Sequence, residues 1–302
     1  MSEVIAAAKS MPVRLRARSV SGSLPLRSGV AAQRWRVLAV FERACNLLLP
    51  TFDAGPAVVA SLVWPALGDG PGNIVVPGDL DWRTRLAAGD TLIYERERLW
   101  GDGVDVALAG AVRRSSRPPW ERYRVADMAA RRGAALACAQ QCAPAGSLLQ
   151  LLPGAETAAC DMWLKAAQRA LVAADAGRRD DLSYLRSLAE ELAGLGPGLT
   201  PAGDDFLAGI MLWLWCAVPA PEALCRAIVE RAAPRTNRLS AAFLRSAAAG
   251  ECGVAWHRLL RVLAPPPVGG LAVAVRAVLR HGHTSGADAL AGFLWMARPL
   301  LP

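Results

Sequence analysis

Asp204 and Asp205 are adjacent carboxylates set directly behind a run of glycine and proline, and no other residues of the chain are so well placed for chemistry. Residues 194–209 read G-L-G-P-G-L-T-P-A-G-D-D-F-L-A-G. Pro197 has no amide hydrogen and the flanking glycines favour open or left-handed backbone, so a helix cannot run through this stretch. The apolar run that follows predicts a helix over 206–218, with an aspartate as its N-cap at the positive end of the helix dipole. Such a loop offers the amides of Gly196, Gly198 and Gly203 and the hydroxyl of Thr200 to an anion. The two aspartates offer oxygens to a substrate N–H or to a cation, magnesium being the ion they could hold. A plain helix–helix connection would need one capping carboxylate, and this one has two.

The pattern recurs. Residues 282–293 read G-H-T-S-G-A-D-A-L-A-G-F. With one residue deleted, Thr200 falls on Thr284, Gly203 on Gly286, Asp205 on Asp288, and Leu207-Ala208-Gly209 on Leu290-Ala291-Gly292. Two loop-to-helix junctions of the same chemistry predict half-sites that converge on one cleft. Chance similarity in an alanine-rich chain is the alternative. On this reading Asp204, Asp205 and Asp288 are the candidate catalytic groups. His283, Thr284, Ser285 and Gly286 join the first loop in holding substrate, with His283 as a hydrogen-bond donor. A third segment, P-R-T-N-R-L-S-A-A-F-L over 234–244, opens a helix with Thr236 or Asn237 as cap. Thr236 and Ser240 stack two hydroxyls at i, i+4, either bonded back to carbonyls or turned toward a ligand. No Walker-type lysine follows a glycine loop, and no nucleophile–histidine motif is present.

These residues need elements to hold them, and the period of the sequence changes along the chain. From 11 to 119, short runs rich in Val, Ile and Leu (37–41, 57–63, 73–76, 91–94 and 104–108) are cut by Gly, Pro and Asp turns. That spacing predicts a β-rich barrel- or sandwich-like domain, with a helix also possible over 31–49. The basic, proline-ended segment 113–119 marks the domain boundary. From 120 to 302 the pattern is helical, over 125–141, 157–174, 180–193, 206–218, 221–233, 236–249, 254–263, 268–279 and 285–297, with a strand possible at 148–152. The fold class is therefore α+β: a β-rich N-terminal domain, then a mostly α-helical C-terminal domain.

The chain carries a formal net charge of +8, yet all but two of its 34 basic residues are arginine, dispersed in short pairs rather than gathered in a run. This argues against a nucleic-acid partner and leaves attraction to small anions as the functional reading of the charge. Seven cysteines without a C-x-x-C, in apolar helical sequence, indicate a reduced, cytoplasmic protein. The N-terminus lacks a secretory pattern, and the apolar run 206–218 is too short to span a membrane.

The loop G-L-G-P-G-L-T-P-A-G-D-D-F-L-A-G resembles a bacterial family typified by the third subunit of oxamate carbamoyltransferase, from anaerobic allantoin breakdown. The resemblance extends to T-N-R-L-S-A-A-F-L and G-H-T-S-G-A-D-A-L-A-G, and more faintly to V-F-E-R-A-C-N-L over 40–47. The family's commonest form has serine where Ala202 stands, which removes one hydroxyl. The resemblance implies a transferase role: carbamoyl transfer between carbamoyl phosphate and an amide such as oxamate, alongside companion subunits. The alternative it leaves is a non-catalytic assembly or regulatory subunit whose loops form an interface.

Overall fold

The structure is a computed structural model that describes residues 11–26, 31–50, 55–123, 125–153, 161–175, 181–264 and 269–297. The chain forms two compact units, Met1–Ser116 and Arg117–Pro302.

The described residues of the first unit build one ten-stranded sheet from β1 (Val13–Arg16), β2 (Ser19–Ser21), β3 (Gln33–Val40), β4 (Ala44–Leu48), β5 (Val59–Val63), β6 (Asn73–Val75), β7 (Thr91–Glu95), β8 (Arg98–Trp100), β9 (Val104–Ala107) and β10 (Val112–Arg114). Its order is β1-β9-β8-β7-β3-β4-β5-β6-β2-β10. β1 stands first in that order and β2 last but one, although only Ala17 and Arg18 separate them in sequence. The sheet must therefore curl back on itself into a half-barrel, with β1 and β10 as its two edge strands. The linker ties the seam: the Ala17 amide donates to Ala107 O and the Arg18 amide to Val75 O, both at 2.8 Å. Alternation along β3 sends Gln33, Trp35, Val37 and Ala39 inward, and Trp35 stacks on Tyr94 at 5.1 Å between ring centroids. The helix considered for 31–49 is thus a hairpin, β3 and β4. Alternate side chains face one core, which a helical period would not allow.

The second unit is helical: α1 (Val125–Gln141), α2 (Met162–Asp175), α3 (Leu182–Leu192), α4 (Ala202–Ala217), α5 (Glu222–Ala232), α6 (Arg238–Ala248), α7 (Val254–Leu263), α8 (Leu271–Leu279) and α9 (Ser285–Met296). The expected helix starts at 157, 180 and 268 lie outside the described residues. The strand considered for 148–152 is a 3-10 turn, Leu148–Leu151. Among the described residues no helix is long and apolar enough to cross a membrane.

α4 and α9 form the centre of this unit, both buried over nearly their whole length. They cross with their backbones almost touching. A Cβ built on Gly209 would lie 1.8 Å from Ala289 O, and one on Gly292 would lie 1.9 Å from Phe206 O. In the register of the two sequence motifs Gly209 corresponds to Gly292 and Phe206 to Ala289. The contacts are therefore reciprocal, as across a local two-fold axis. The same correspondence governs the second residue of each helix: a Cβ built on Gly203 would lie 1.9 Å from Leu192 O of α3, and one on Gly286 2.0 Å from Val278 O of α8. Phe206 on Trp295 and Trp213 on Phe293 complete the crossing at 5.7 and 5.3 Å.

Candidate functional site

The first loop owes its shape to alternate glycines. Gly194, Gly196 and Gly198 all have positive φ, 72°, 114° and 91°, which side chains disfavour. The chain turns back so that the Gly203 amide donates to Leu195 O at 2.8 Å. α4 begins at Ala202, after Pro201, with no side-chain cap. Asp204 and Asp205 are therefore the third and fourth residues of the helix rather than its cap, because Pro201 already supplies a fixed entry geometry.

The adjacent carboxylates face different partners. Asp204 is 1% exposed, and its Oδ1 accepts from the Gly194 amide at 2.9 Å. Its Oδ2 accepts from the hydroxyls of Thr236 and, at 2.7 Å, Ser240. Thr236 and Ser240 do share a face, and what that face meets is Asp204. Asn237 caps α6, accepting from Leu239 N and Ser240 N at 3.0 Å, while its Nδ2 donates to Leu199 O at 2.8 Å. The Asp204 side chain thus ties loop start, helix and the α6 terminus together. Replacing Asp204 with alanine strands the buried Ser240 hydroxyl and two half-buried donors, the Gly194 amide and the Thr236 hydroxyl, at about 1–3 kcal/mol each. We expect a loss of at least about 3 kcal/mol in urea unfolding of Asp204→Ala, against little change for Asp205→Ala.

Asp205 turns toward the other motif. It takes hydrogen bonds from Ser285 and Thr200, whose hydroxyls also meet each other at 2.8 Å across the two half-sites. Asp288, the counterpart of Asp205 at the fourth position of α9, is wholly buried. Its Oδ1 accepts from the Leu148 amide at 2.6 Å, and Thr284 hydrogen-bonds it as well. The two motifs meet at their helix N-termini, where Thr200 bonds Ser285 and Asp288 lies near enough to repel the Asp205 charge. The approach to them is graded. Pro197, Gly198, Leu199 and His283 are exposed, Thr200, Thr284, Ser285 and Asp205 half-buried, and Asp288 sealed.

Three oxygens at this junction lack a hydrogen-bond partner among the described residues although they are buried: Asp205 Oδ2, Asp288 Oδ2 and Ser147 Oγ. Burial first, then repulsion from Asp288, pushes the Asp205 carboxyl well above its ordinary range, against the hydrogen bonds of Ser285 and Thr200. Burial likewise raises Asp288 to about 7, against the Leu148 amide and Thr284. The turn carrying Ser147 and Leu148 escaped sequence reasoning. A serine opening an apolar run was its one signal, and its link to Asp288 spans 140 residues.

Among the described residues no three His, Cys, Asp or Glu side chains gather as a metal site would need. Both oxygens of Asp204 already hold donors, and the amides of Gly194 and Leu148 point at carboxylates where a cation would have to sit.

The second unit is a helical domain in which two glycine-loop-to-helix junctions close on each other around a pair of carboxyls. Residues 192–297, which contain both junctions, match the family model described as oxamate carbamoyltransferase subunit AllH. The family that the loop resembles is thus the one whose model it matches, and the N-terminal unit, with V-F-E-R-A-C-N-L, lies outside the match. No solved structure matches the chain at a significant level.

Proposed function

We propose that the chain is a subunit of a carbamoyltransferase complex of the oxamate type, and that its paired loops bind a small anionic or amide substrate such as carbamoyl phosphate or oxamate. The observation that carries this reading is the meeting of Asp205 and Asp288, with unpartnered oxygens, at the junction of the two matched motifs. In such a transfer the amide nitrogen of the acceptor attacks the carbamoyl carbon. The new N–C bond forms as the C–O bond to phosphate breaks, phosphate leaves with that electron pair, and the nitrogen loses one proton. A carboxyl with a raised proton affinity, half-buried beside the reacting atoms, suits the last task. The N-termini of α4 and α9 and the exposed Gly198 amide supply partial positive charge for the departing anion.

The test is reconstitution with the two companion subunits. Carbamoyl transfer is expected only when this chain is present, and full transfer without it would overturn the reading. Leu199, 47% exposed at the loop tip, favours the second reading, in which the loop is a docking surface for a companion subunit. The two part on Leu199→Asp. Weakened assembly with unchanged KM favours docking, whereas intact assembly with a raised KM favours substrate contact.

A further inference from the structure

We propose that Asp205, Asp288 and Ser147 form a subsite for a –CO–NH2 group, with the two carboxyls taking its N–H bonds and the serine hydroxyl meeting its carbonyl oxygen. The inference rests on the carbamoyltransferase reading and says which end of the substrate this junction reads. Its ground is a count of unmet valences. The junction leaves two carboxyl oxygens, Asp205 Oδ2 and Asp288 Oδ2, and one hydroxyl, Ser147 Oγ, buried without partners among the described residues. Ser147 is 0% exposed, and it precedes Leu148, whose amide grips Asp288 Oδ1 at 2.6 Å. A stranded buried polar atom is costly, and three on residues gathered at one junction mark a site built for something.

The chemistry of the surroundings selects the occupant. A metal ion would need further anionic or carbonyl ligands, and what surrounds the pair is the converging N-termini of α4 and α9 and the Leu148 amide, all of which repel a cation. A phosphate or carboxylate is repelled by the two carboxyls themselves. A neutral group with two N–H donors and one acceptor answers all three oxygens and brings no charge into a buried place. That is the inventory of a primary carboxamide and equally of a carbamoyl group. Asp205, Thr200 and Ser285 are half-buried, so the site has an approach from the loop side. The anionic remainder of the ligand stays with the exposed loop amides, outside the carboxyl pair.

Calorimetry on the full chain separates the possibilities. The probes are oxamate, N,N-dimethyloxamate, oxalate, carbamoyl phosphate and inorganic phosphate. Oxamate should bind at least tenfold tighter than N,N-dimethyloxamate and oxalate if the carboxamide is the source of the –CO–NH2 group. Carbamoyl phosphate should exceed phosphate by a similar factor if the carbamoyl donor is. Ser147→Ala and Asp205→Asn should each weaken the preferred ligand about tenfold or more, the second because an amide would then face an amide. Should a variant fail to fold, the ligand series on the unaltered chain still decides. Equal binding of oxamate and N,N-dimethyloxamate, with carbamoyl phosphate no better than phosphate, overturns the subsite and leaves the carbamoyltransferase reading standing. No binding of either amide or carbamoyl phosphate up to about 10 mM, weaker than about 3 kcal/mol of binding free energy, overturns both.

Discussion

Gly209→Ala and Gly292→Ala are expected to unfold the helical unit as severely as any single-methyl change in it. Each new Cβ would stand under 2 Å from a backbone carbonyl on the opposite helix, and beyond it lies further helix backbone that has no rotamer to change. Relief requires α4 and α9 to separate by more than an ångström. That would open gaps around Phe206, Leu207, Leu290 and Phe293, all at most 1% exposed. A cost above about 3 kcal/mol follows, which corresponds to a fall of roughly 6–12 °C in melting temperature for a unit of this size. Because the contacts are reciprocal, the two variants should fall by similar amounts. Gly198→Ala is the control: a Cβ there meets nothing within 4 Å, so only the positive φ resists it, at about 1 kcal/mol. Thermal melts of the three variants by circular dichroism decide the matter. A drop of a few degrees or less for Gly209→Ala would show that the helices do not cross as described.

This crossing also explains what the sequence could and could not announce. The repeat of G-x-D-x-L-A-G is legible in one dimension because it serves one three-dimensional job twice: a glycine to back onto the preceding helix, an aspartate one turn in, and a glycine at the crossing. The helix limits of α7 follow from periodicity alone, since its apolar face, with Leu259, Leu260 and Leu263 buried, is regular. The start of α4 was displaced because aspartate is a good cap on its own, whereas Pro201 fixes the entry four residues before Asp205. The strands β1, β8 and β10 left no mark. They are three or four residues long and read V-R-L-R, R-L-W and V-R-R, patterns that acquire meaning only through their neighbours in the curled sheet. The different duties of Asp204 and Asp205 were equally invisible. Adjacent residues of a helix point about 100° apart, so which one meets Thr236 and Ser240 and which meets Ser285 is decided by where α6 and α9 pack. Ser147 lies furthest from view, since its place beside Asp288 depends on a contact between segments distant in sequence.

Asp288→Asn is expected to make the protein more stable at pH 8 while removing the activity of the assembled complex. The carboxyl has its proton affinity raised by burial, from an ordinary value near 3.8 to about 7. The folded state therefore holds a proton that the unfolded chain has already released over this interval. Stability is full below the unfolded value, declines as pH rises from about 4 to about 7, and is level above that. The decline is roughly 4 kcal/mol at most, three pH units at 1.36 kcal/mol each. Burial, and after it repulsion from Asp288, also raises Asp205, so the two losses have the same sign. Asparagine keeps an oxygen for the Leu148 amide and carries no charge, which lifts the penalty at pH 8. Against this, its Nδ2 must reach one of the unpartnered oxygens, Asp205 Oδ2 or Ser147 Oγ, or be stranded at about 1–3 kcal/mol. The balance is a gain of about 1–3 kcal/mol at pH 8 that vanishes or reverses near pH 5, where the aspartate is itself neutral. Urea unfolding of both proteins at the two pH values, beside the transfer rate of the reconstituted complex, tests the pair of effects together. Stability that rises with pH in the unaltered protein would contradict the buried neutral carboxyl. A variant as active as the parent would show that Asp288 serves the fold alone.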